Sequence, residues 1–155
     1  SGNLPDRKAF ASSKAMVLCA ALGMTSQPAL EPGKDFGRCS AYMQPLWNSM
    51  KALPGQVVRL HNPVYAPTRA VTTEAPDLYP SLWQSDRHKA LLVVSNMAST
   101  PQTGVVELNL NELDVPRNAR LTALPVAGTY QAELDGGTVR VTGMPPETIA
   151  SILIG

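Results

Sequence analysis

The sequence has few aromatic residues, little charge and only two cysteines. Among its 155 residues, 5% are aromatic and 16% are charged, and the formal net charge at pH 7 is +1. Because the charge is small and the basic residues are scattered, no field attracts a phosphate backbone, and we expect no nucleic-acid partner. The hydrophobic share of 44% is enough to bury a core in one domain, with or without a helical appendage.

Long hydrophobic runs are also absent. The longest apolar stretch covers residues 15–24, well short of the roughly 20 residues that a membrane-spanning helix requires. The sequence therefore predicts no membrane anchor. The chain begins with Ser1 and Gly2 and lacks both an initiator Met and a signal-peptide pattern, so we interpret it as a fragment of a longer protein.

The two cysteines, Cys19 and Cys39, both lie in the first third of the chain. A disulfide between them is geometrically possible and would indicate an oxidising compartment. Cys19, however, stands among apolar residues, where a buried free thiol behaves as a small hydrophobe. The sequence leaves both states open. Neither cysteine has a second Cys or a His at ligand spacing, so no metal site is predicted.

From residue 57 onward, apolar residues alternate or cluster in segments of strand length, separated by turn residues. Between two of these segments, Asp135, Gly136 and Gly137 give a strong hairpin signal, since glycine accepts the positive φ of a tight turn. The segment 62–85 contains four prolines, so we expect it to run along an edge or to form irregular connections. The predicted strands cover residues 57–61, 89–97, 105–110, 120–124, 129–134, 138–142 and 149–154.

The N-terminal third predicts two helices, over residues 6–22 and 41–53, joined by a loop over residues 24–40 that is rich in Pro and Gly. The predicted fold is therefore mainly β, an antiparallel β-sandwich preceded by two α-helices. We expect a helical segment over 1–55, at the end of a larger domain, and the sandwich over 56–155.

Catalytic patterns are weak. His61 and His88 are the two histidines, and no Gly-x-Ser-x-Gly elbow accompanies them. Glycosidic cleavage needs two carboxylates that face each other, and nothing in the sequence positions two of Glu74, Asp77 and Asp86 in that way. We predict no catalytic residue and no cofactor.

The sequence favours sugar binding over catalysis, because sugar rings stack on exposed aromatic faces while nearby carboxylates and amides bind hydroxyl groups. Tyr65, Tyr79 and Trp83 lie in the proline-rich segment, with Asp86 close in sequence. These four are the candidate ligand-binding residues. The competing interpretation is that Tyr79 and Trp83 cover the open end of the sandwich.

Four segments, KALLVVSNM, GVVELNLNEL, LTALPVAGTY and DGGTVRVTGMPPETIASILI, resemble in their order the C-terminal β-sandwich that follows the (β/α)₈ barrel in many glycoside hydrolases. The segments AMVLCAALGM and YMQPLWNSMKAL are similar to the last helices of such a barrel. The resemblance implies a non-catalytic accessory module of a secreted or periplasmic carbohydrate-active enzyme, with the catalytic barrel of its parent chain as partner.

Two further functions stay open. One is a carbohydrate-binding module that uses Trp83 and Tyr79, with carbohydrate as its ligand. The other is a small hydrolase whose site combines the loop over residues 24–40 with His61. Because Val17, Leu18, Ala21 and Leu22 make the first helix apolar nearly all round, we also expect an isolated chain to self-associate or to leave an apolar patch there.

Overall fold

The computed structural model describes residues 17–18, 20–23, 36–126 and 128–155, with side chains from residue 44 onward in the helix. One long helix, α1, precedes nine strands in the described chain. In chain order the elements are α1 (Phe36–Ala52), β1 (Val57–His61), β2 (Val71–Thr73), β3 (Leu78–Ser85), β4 (Ala90–Asn96), β5 (Gln102–Leu108), β6 (Leu121–Ala123), β7 (Gln131–Asp135), β8 (Thr138–Met144) and β9 (Ile149–Ile154).

The strands form two antiparallel sheets, one with five strands in the order β1-β3-β4-β9-β6 and one with four in the order β2-β5-β8-β7. The predicted mainly β class with antiparallel pairing is present, and the nine strands follow α1. The hairpin at Gly136 and Gly137 is confirmed, because Asp135 pairs with Thr138 and both glycines have positive φ.

The five-stranded sheet has a buried cluster on each face. One face packs against the four-stranded sheet, with Leu92 and Ile152 meeting Val106 and Val141 in a common core. The other face presents Leu91, Val93 and Trp83 to Leu46 of α1 and to Val17. The chain is therefore built in three layers, and we call the two faces of this sheet the sandwich side and the helix side.

The described residues correct the predicted helices in part. Val17, Leu18, Ala20 and Ala21 are helical, and the remainder of the helix predicted over 6–22 lies outside the described residues. The second helix begins at Phe36 and not at residue 41, so the predicted loop is wrong over residues 36–40. Cys19 and the side chain of Cys39 are not described.

The prediction for residues 62–85 is wrong for β3, which lies inside the five-stranded sheet, whereas β2 lies at an edge of the four-stranded sheet as predicted. β3 lies between β1 and β4 and is largely buried despite containing Pro80. β1 pairs only with the half of β3 from Leu82 to Ser85. Pro80 lies beyond the end of β1, where β3 has one neighbouring strand, so its missing N–H is tolerated as on an edge.

Candidate functional site

The candidate site lies at β1, an edge strand of the five-stranded sheet, whose side chains alternate between the two faces of the sheet. Leu60 pairs with Trp83, whose side chain belongs to the helix-side cluster. Arg59 pairs with Gln84, on the opposite side of the sheet. Since directly paired residues of neighbouring strands share a face, β1 presents Leu60 to the helix side and Arg59 to the sandwich side. His61, two residues after Arg59, shares the face of Arg59.

The connection that follows β1 is fixed by Asn62. Its buried amide donates to the Ala21 carbonyl at 3.0 Å and to the Ser81 hydroxyl at 2.8 Å. Its side-chain oxygen accepts from the Val64 N–H at 2.8 Å, and its backbone carbonyl accepts from the Tyr65 N–H at 3.2 Å. These hydrogen bonds stabilise the turn, and Tyr65, which follows Asn62 by three residues, is 59% exposed.

A second chain of polar contacts starts at His61, which is itself buried. Gln84 donates from Nε2 to the Leu113 carbonyl at 3.0 Å, so its side-chain oxygen faces His61. That oxygen, 2.9 Å away, accepts the hydrogen of His61 Nε2, which leaves Nδ1 as an acceptor in the neutral ring. The Thr68 hydroxyl lies 3.4 Å from Nδ1 and also accepts from the Ala70 N–H. The chain ties β1 and β3 to the segments around residues 68 and 113.

These segments enclose an open cleft of about 570 Å³ beside β1, which we call the β1 cleft. Its polar lining comes from Arg59 on the strand, from Tyr65, Thr68 and Arg69 on the connection after it, and from Glu112 between β5 and β6. Arg59, Arg69 and Glu112 are exposed, and within the described residues their charged groups make no ion pair. The cleft therefore contains two unpaired cations, one unpaired anion and one aromatic ring.

Arg69 also lines an adjoining cleft of about 510 Å³ on the four-stranded sheet. Arg117 and Glu107 contribute its other charges. Glu107 accepts a hydrogen bond from the Thr138 hydroxyl at 2.8 Å, so this carboxylate is partly engaged. The two clefts share Arg69 as a lining residue.

The four candidate ligand residues are not gathered in one place. Trp83 is 5% exposed within the helix-side cluster, so its ring offers no free face. Tyr79 lines a third cleft, of about 410 Å³, together with Val64. Asp86 accepts from the Gln56 N–H at 2.9 Å in the β3–β4 turn. Tyr65 alone of the four lines the β1 cleft, and ligand binding by this set stays a prediction.

The candidate catalytic groups are equally dispersed. His88 Nδ1 lies 2.9 Å from Asp114 Oδ2 in an exposed pair, while His61 is buried and fully bonded. Glu74 lines the third cleft, and neither Asp77 nor Asp86 joins it there. None of the three clefts formed by described residues brings two of these carboxylates together. Within the same part of the chain, no three His, Cys, Asp or Glu side chains could hold a metal ion, and no helix is long and apolar enough to cross a membrane.

Sequence reasoning missed Arg59, Arg69 and Glu112. A usable signal existed for the first of these, because alternation over Val58, Arg59, Leu60 and His61 places Arg59 and His61 on one face of a strand that was predicted with its observed bounds. Nothing in the sequence indicated that Glu112 lies in the same cleft as Arg59 and Arg69, because its position depends on how Leu113 packs into the core. Comparisons of the chain with family models, with curated proteins and with solved structures gave no match.

Proposed function

We propose that the chain is a non-catalytic accessory module of a carbohydrate-active enzyme, which packs against the catalytic barrel of its parent chain and stabilises it. The observation that carries the proposal is an exposed apolar surface beside β1. It consists of Leu18, Val57, Val58, Leu60 and Val64, and we call it the β1 apolar surface.

The β1 apolar surface combines side chains with an open sheet edge. Val58 is 59% exposed and Leu60 is 39% exposed, on a strand with a neighbour on one side only. Exposed apolar edges invite association, and soluble proteins usually protect them with charge, proline or a covering element. Arg59 is the one charged side chain of β1, and it points to the other face. This surface therefore has the character of an interface.

The surface continues to the helical residues next to Gly23. A Cβ atom added at Gly23 would lie 2.8 Å from Leu60 Cδ2, so this helical turn and the strand lie in close contact. The resemblance places the last barrel helices immediately before the sandwich. A barrel that continues from these helices would cover Leu18 and Leu60 together, which favours the barrel over an unrelated protein as the partner.

The dispersion of the ionisable groups supports a non-catalytic role. Catalytic sites combine an acid and a base, or a nucleophile and a base, within hydrogen-bond reach of one substrate. The described clefts contain no such pair. Among the described residues, Tyr130 is the one ionisable group whose pKa is clearly shifted, and its hydroxyl is hydrogen-bonded to the β9 backbone. Catalysis in the parent protein would then belong to the barrel.

The proposal is tested first on the gene that encodes this chain. It predicts roughly 300 upstream residues in which strands alternate with helices, as a (β/α)₈ barrel requires. The full-length protein and its Leu60→Glu variant are then compared by calorimetry. A charge at the interface separates the module from the barrel, so the barrel should unfold at a lower temperature in the variant.

Met97→Glu is the matched control, because Met97 is also 39% exposed but lies at the end of β4, outside the β1 apolar surface. It should leave the barrel transition unchanged, while circular dichroism confirms that both variants fold. The proposal is overturned if no barrel is encoded, or if both variants behave alike. Sedimentation of the isolated chain tests whether a second copy, and not a barrel, covers the surface. If the gene encodes no barrel and the chain forms a dimer that Leu60→Glu dissociates, the surface serves self-association.

A further inference from the structure

We propose that the β1 cleft binds a uronic-acid residue of an acidic polysaccharide. Arg59 and Arg69 would donate hydrogen bonds to the carboxylate. Tyr65 would stack on the face of the sugar ring, and Glu112 would accept a hydrogen bond from a hydroxyl group. The cleft is lined by Arg59 and His61 of β1 and reaches Leu60, which also belongs to the β1 apolar surface. The two arginines, Tyr65 and Glu112 lie outside that surface, so the inference does not depend on the proposed packing against a barrel.

The first argument is the pair of arginines. Two guanidinium groups line one cleft, and among the described residues neither has a hydrogen-bond or ion-pair partner. A guanidinium presents a planar fork of donors that matches a carboxylate, and the pairing is stronger than a neutral hydrogen bond. Two unpaired arginines that line one concave surface can thus bind a carboxylate.

The second argument is Glu112, which limits how much negative charge the ligand can carry. Its carboxylate lines the same cleft and is unpaired within the described chain. Like charges that come close are unfavourable, so a sulfated glycan or a nucleic acid, with charge at every unit, meets repulsion here. A carboxylate can instead accept hydrogen bonds from hydroxyl groups. The charge pattern fits a ligand that has one carboxylate and several hydroxyls.

The third argument is the ring of Tyr65. A pyranose has an apolar face, and an exposed aromatic side chain offers a complementary surface for it. The Asn62 turn fixes the backbone of Tyr65 before any ligand arrives. A simple electrostatic patch has no need of an aromatic ring, so Tyr65 separates saccharide binding from anion binding in general.

The fourth argument is the support beneath the cleft. The partly buried chain from Thr68 through His61 and Gln84 to Leu113 joins the segments that carry Arg69 and Glu112. Leu113 is itself fully buried between the sheets, next in sequence to Glu112. Because these backbone positions are already fixed, binding orders only exposed side chains, which lowers its entropic cost.

The test is isothermal titration calorimetry of the purified chain with oligosaccharides in which each uronate is separated by uncharged sugars: hexasaccharides of hyaluronan, unsulfated chondroitin and N-acetylheparosan, and a glucuronoxylan oligosaccharide with one uronate. We expect at least one of these probes to bind. Arg59→Gln and Arg69→Gln should each weaken that binding by about tenfold or more, as expected for loss of a charge-assisted hydrogen bond. Tyr65→Ala should weaken it as well. Arg140→Gln is the matched control, because Arg140 is exposed but lines none of the three clefts.

Two further arms address the chemistry of recognition. The methyl ester of the bound oligosaccharide has the same ring without the charge, and we expect it not to bind. Arg59→Lys keeps the charge and removes the planar fork, so it should weaken binding to the uronate while leaving any general attraction for anions in place. Circular dichroism verifies that each variant retains the fold.

The inference is overturned if none of the four uronates binds at millimolar concentration, or if binding survives both arginine substitutions. It is also overturned if a heparin fragment or single-stranded DNA binds as tightly and Tyr65→Ala changes nothing, because the surface is then a general anion patch. None of these outcomes bears on Leu60→Glu in the full-length protein, so the two proposals fail separately.

Discussion

The two sheets of this protein differ in how many of their faces are covered. All seven residues of β4, at the centre of the five-stranded sheet, are buried. Along β8, at the centre of the four-stranded sheet, buried residues alternate with exposed or partly exposed ones. The first sheet lies between the second sheet and α1, while the second has an outer face in solvent. The comparison teaches that an uninterrupted apolar strand in an antiparallel sheet indicates a third layer.

The same difference decides where function can reside. The outer face of the four-stranded sheet is polar, with Glu133 and Arg140 on neighbouring strands, and has the character of an ordinary solvated surface. The five-stranded sheet is covered on both faces at β4 and meets solvent at its edge strands. Its edge strand β1 carries both of the surfaces that we propose for interaction, and Leu60 borders both of them.

The largest effect is expected from Leu92→Ala, compared with Leu91→Ala. Leu92 lies in the core between the sheets and Leu91 in the cluster beneath α1, and both are fully buried. Each substitution should lower the free energy of unfolding by roughly 2 to 5 kcal/mol, through lost burial and the cavity that is left. Urea denaturation measures both. A loss below about 0.5 kcal/mol for Leu91→Ala would contradict the helix layer, and the same result for Leu92→Ala would contradict the sandwich.

The sequence predicts this sheet unevenly, and the reason is physical. The strands β1 and β9 were predicted with their observed bounds, because each is a short segment of alternating or clustered apolar residues between turn residues. β3 was missed because proline is normally excluded from the interior of a sheet, and β3 contains Pro80. Pro80 is tolerated because β1 ends before reaching it, which leaves β3 with one neighbouring strand there. The extent of β1 along β3 is a tertiary property.

The candidate site is still less visible in the sequence. Tyr65 could be selected as an aromatic residue in an irregular segment, and it does line the β1 cleft. Arg69 and Glu112 are separated by more than forty residues and meet only because the connection after β5 packs its leucines into the core. Trp83 is an aromatic residue of the same segment as Tyr65, but it lies on β3 and is buried in the helix-side cluster. Because β3 was not predicted, the sequence did not distinguish the two.

A smaller effect is expected from Tyr130→Phe, which tests the connection between the two sheets. Tyr130 lies between β6 and β7, and its hydroxyl donates to the Ser151 carbonyl at 2.7 Å and accepts from the Ser151 N–H at 3.0 Å. Removing the hydroxyl leaves two backbone groups of β9 without this partner. The free energy of unfolding at pH 7 should fall by about 1 kcal/mol, the usual net contribution of such bonds.

The pH dependence sharpens this prediction. Burial raises the pKa of the Tyr130 phenol above its ordinary value of 10.0, and the hydrogen bond with the Ser151 backbone only partly offsets the rise. Because the folded state holds the proton more tightly, the stability contribution is complete below pH 10 and is lost as the pH rises through the folded pKa. Urea denaturation at pH 7 and above pH 10 should therefore show the gap between wild type and Tyr130→Phe closing. A gap that is constant with pH would contradict a buried phenol.

The smallest effect is expected from Arg140→Ala, paired with Val141→Ala on the same strand. Arg140 is exposed on the outer face of the four-stranded sheet, between Val105 of β5 and Glu133 of β7, whereas Val141 is fully buried against the other sheet. An exposed charge contributes little, so Arg140→Ala should change the free energy of unfolding by less than about 0.5 kcal/mol. Val141→Ala removes two buried carbon atoms and should cost more than about 1 kcal/mol. If the two substitutions cost the same, the outer face is covered by something that binds it, and the four-stranded sheet is as enclosed as its partner.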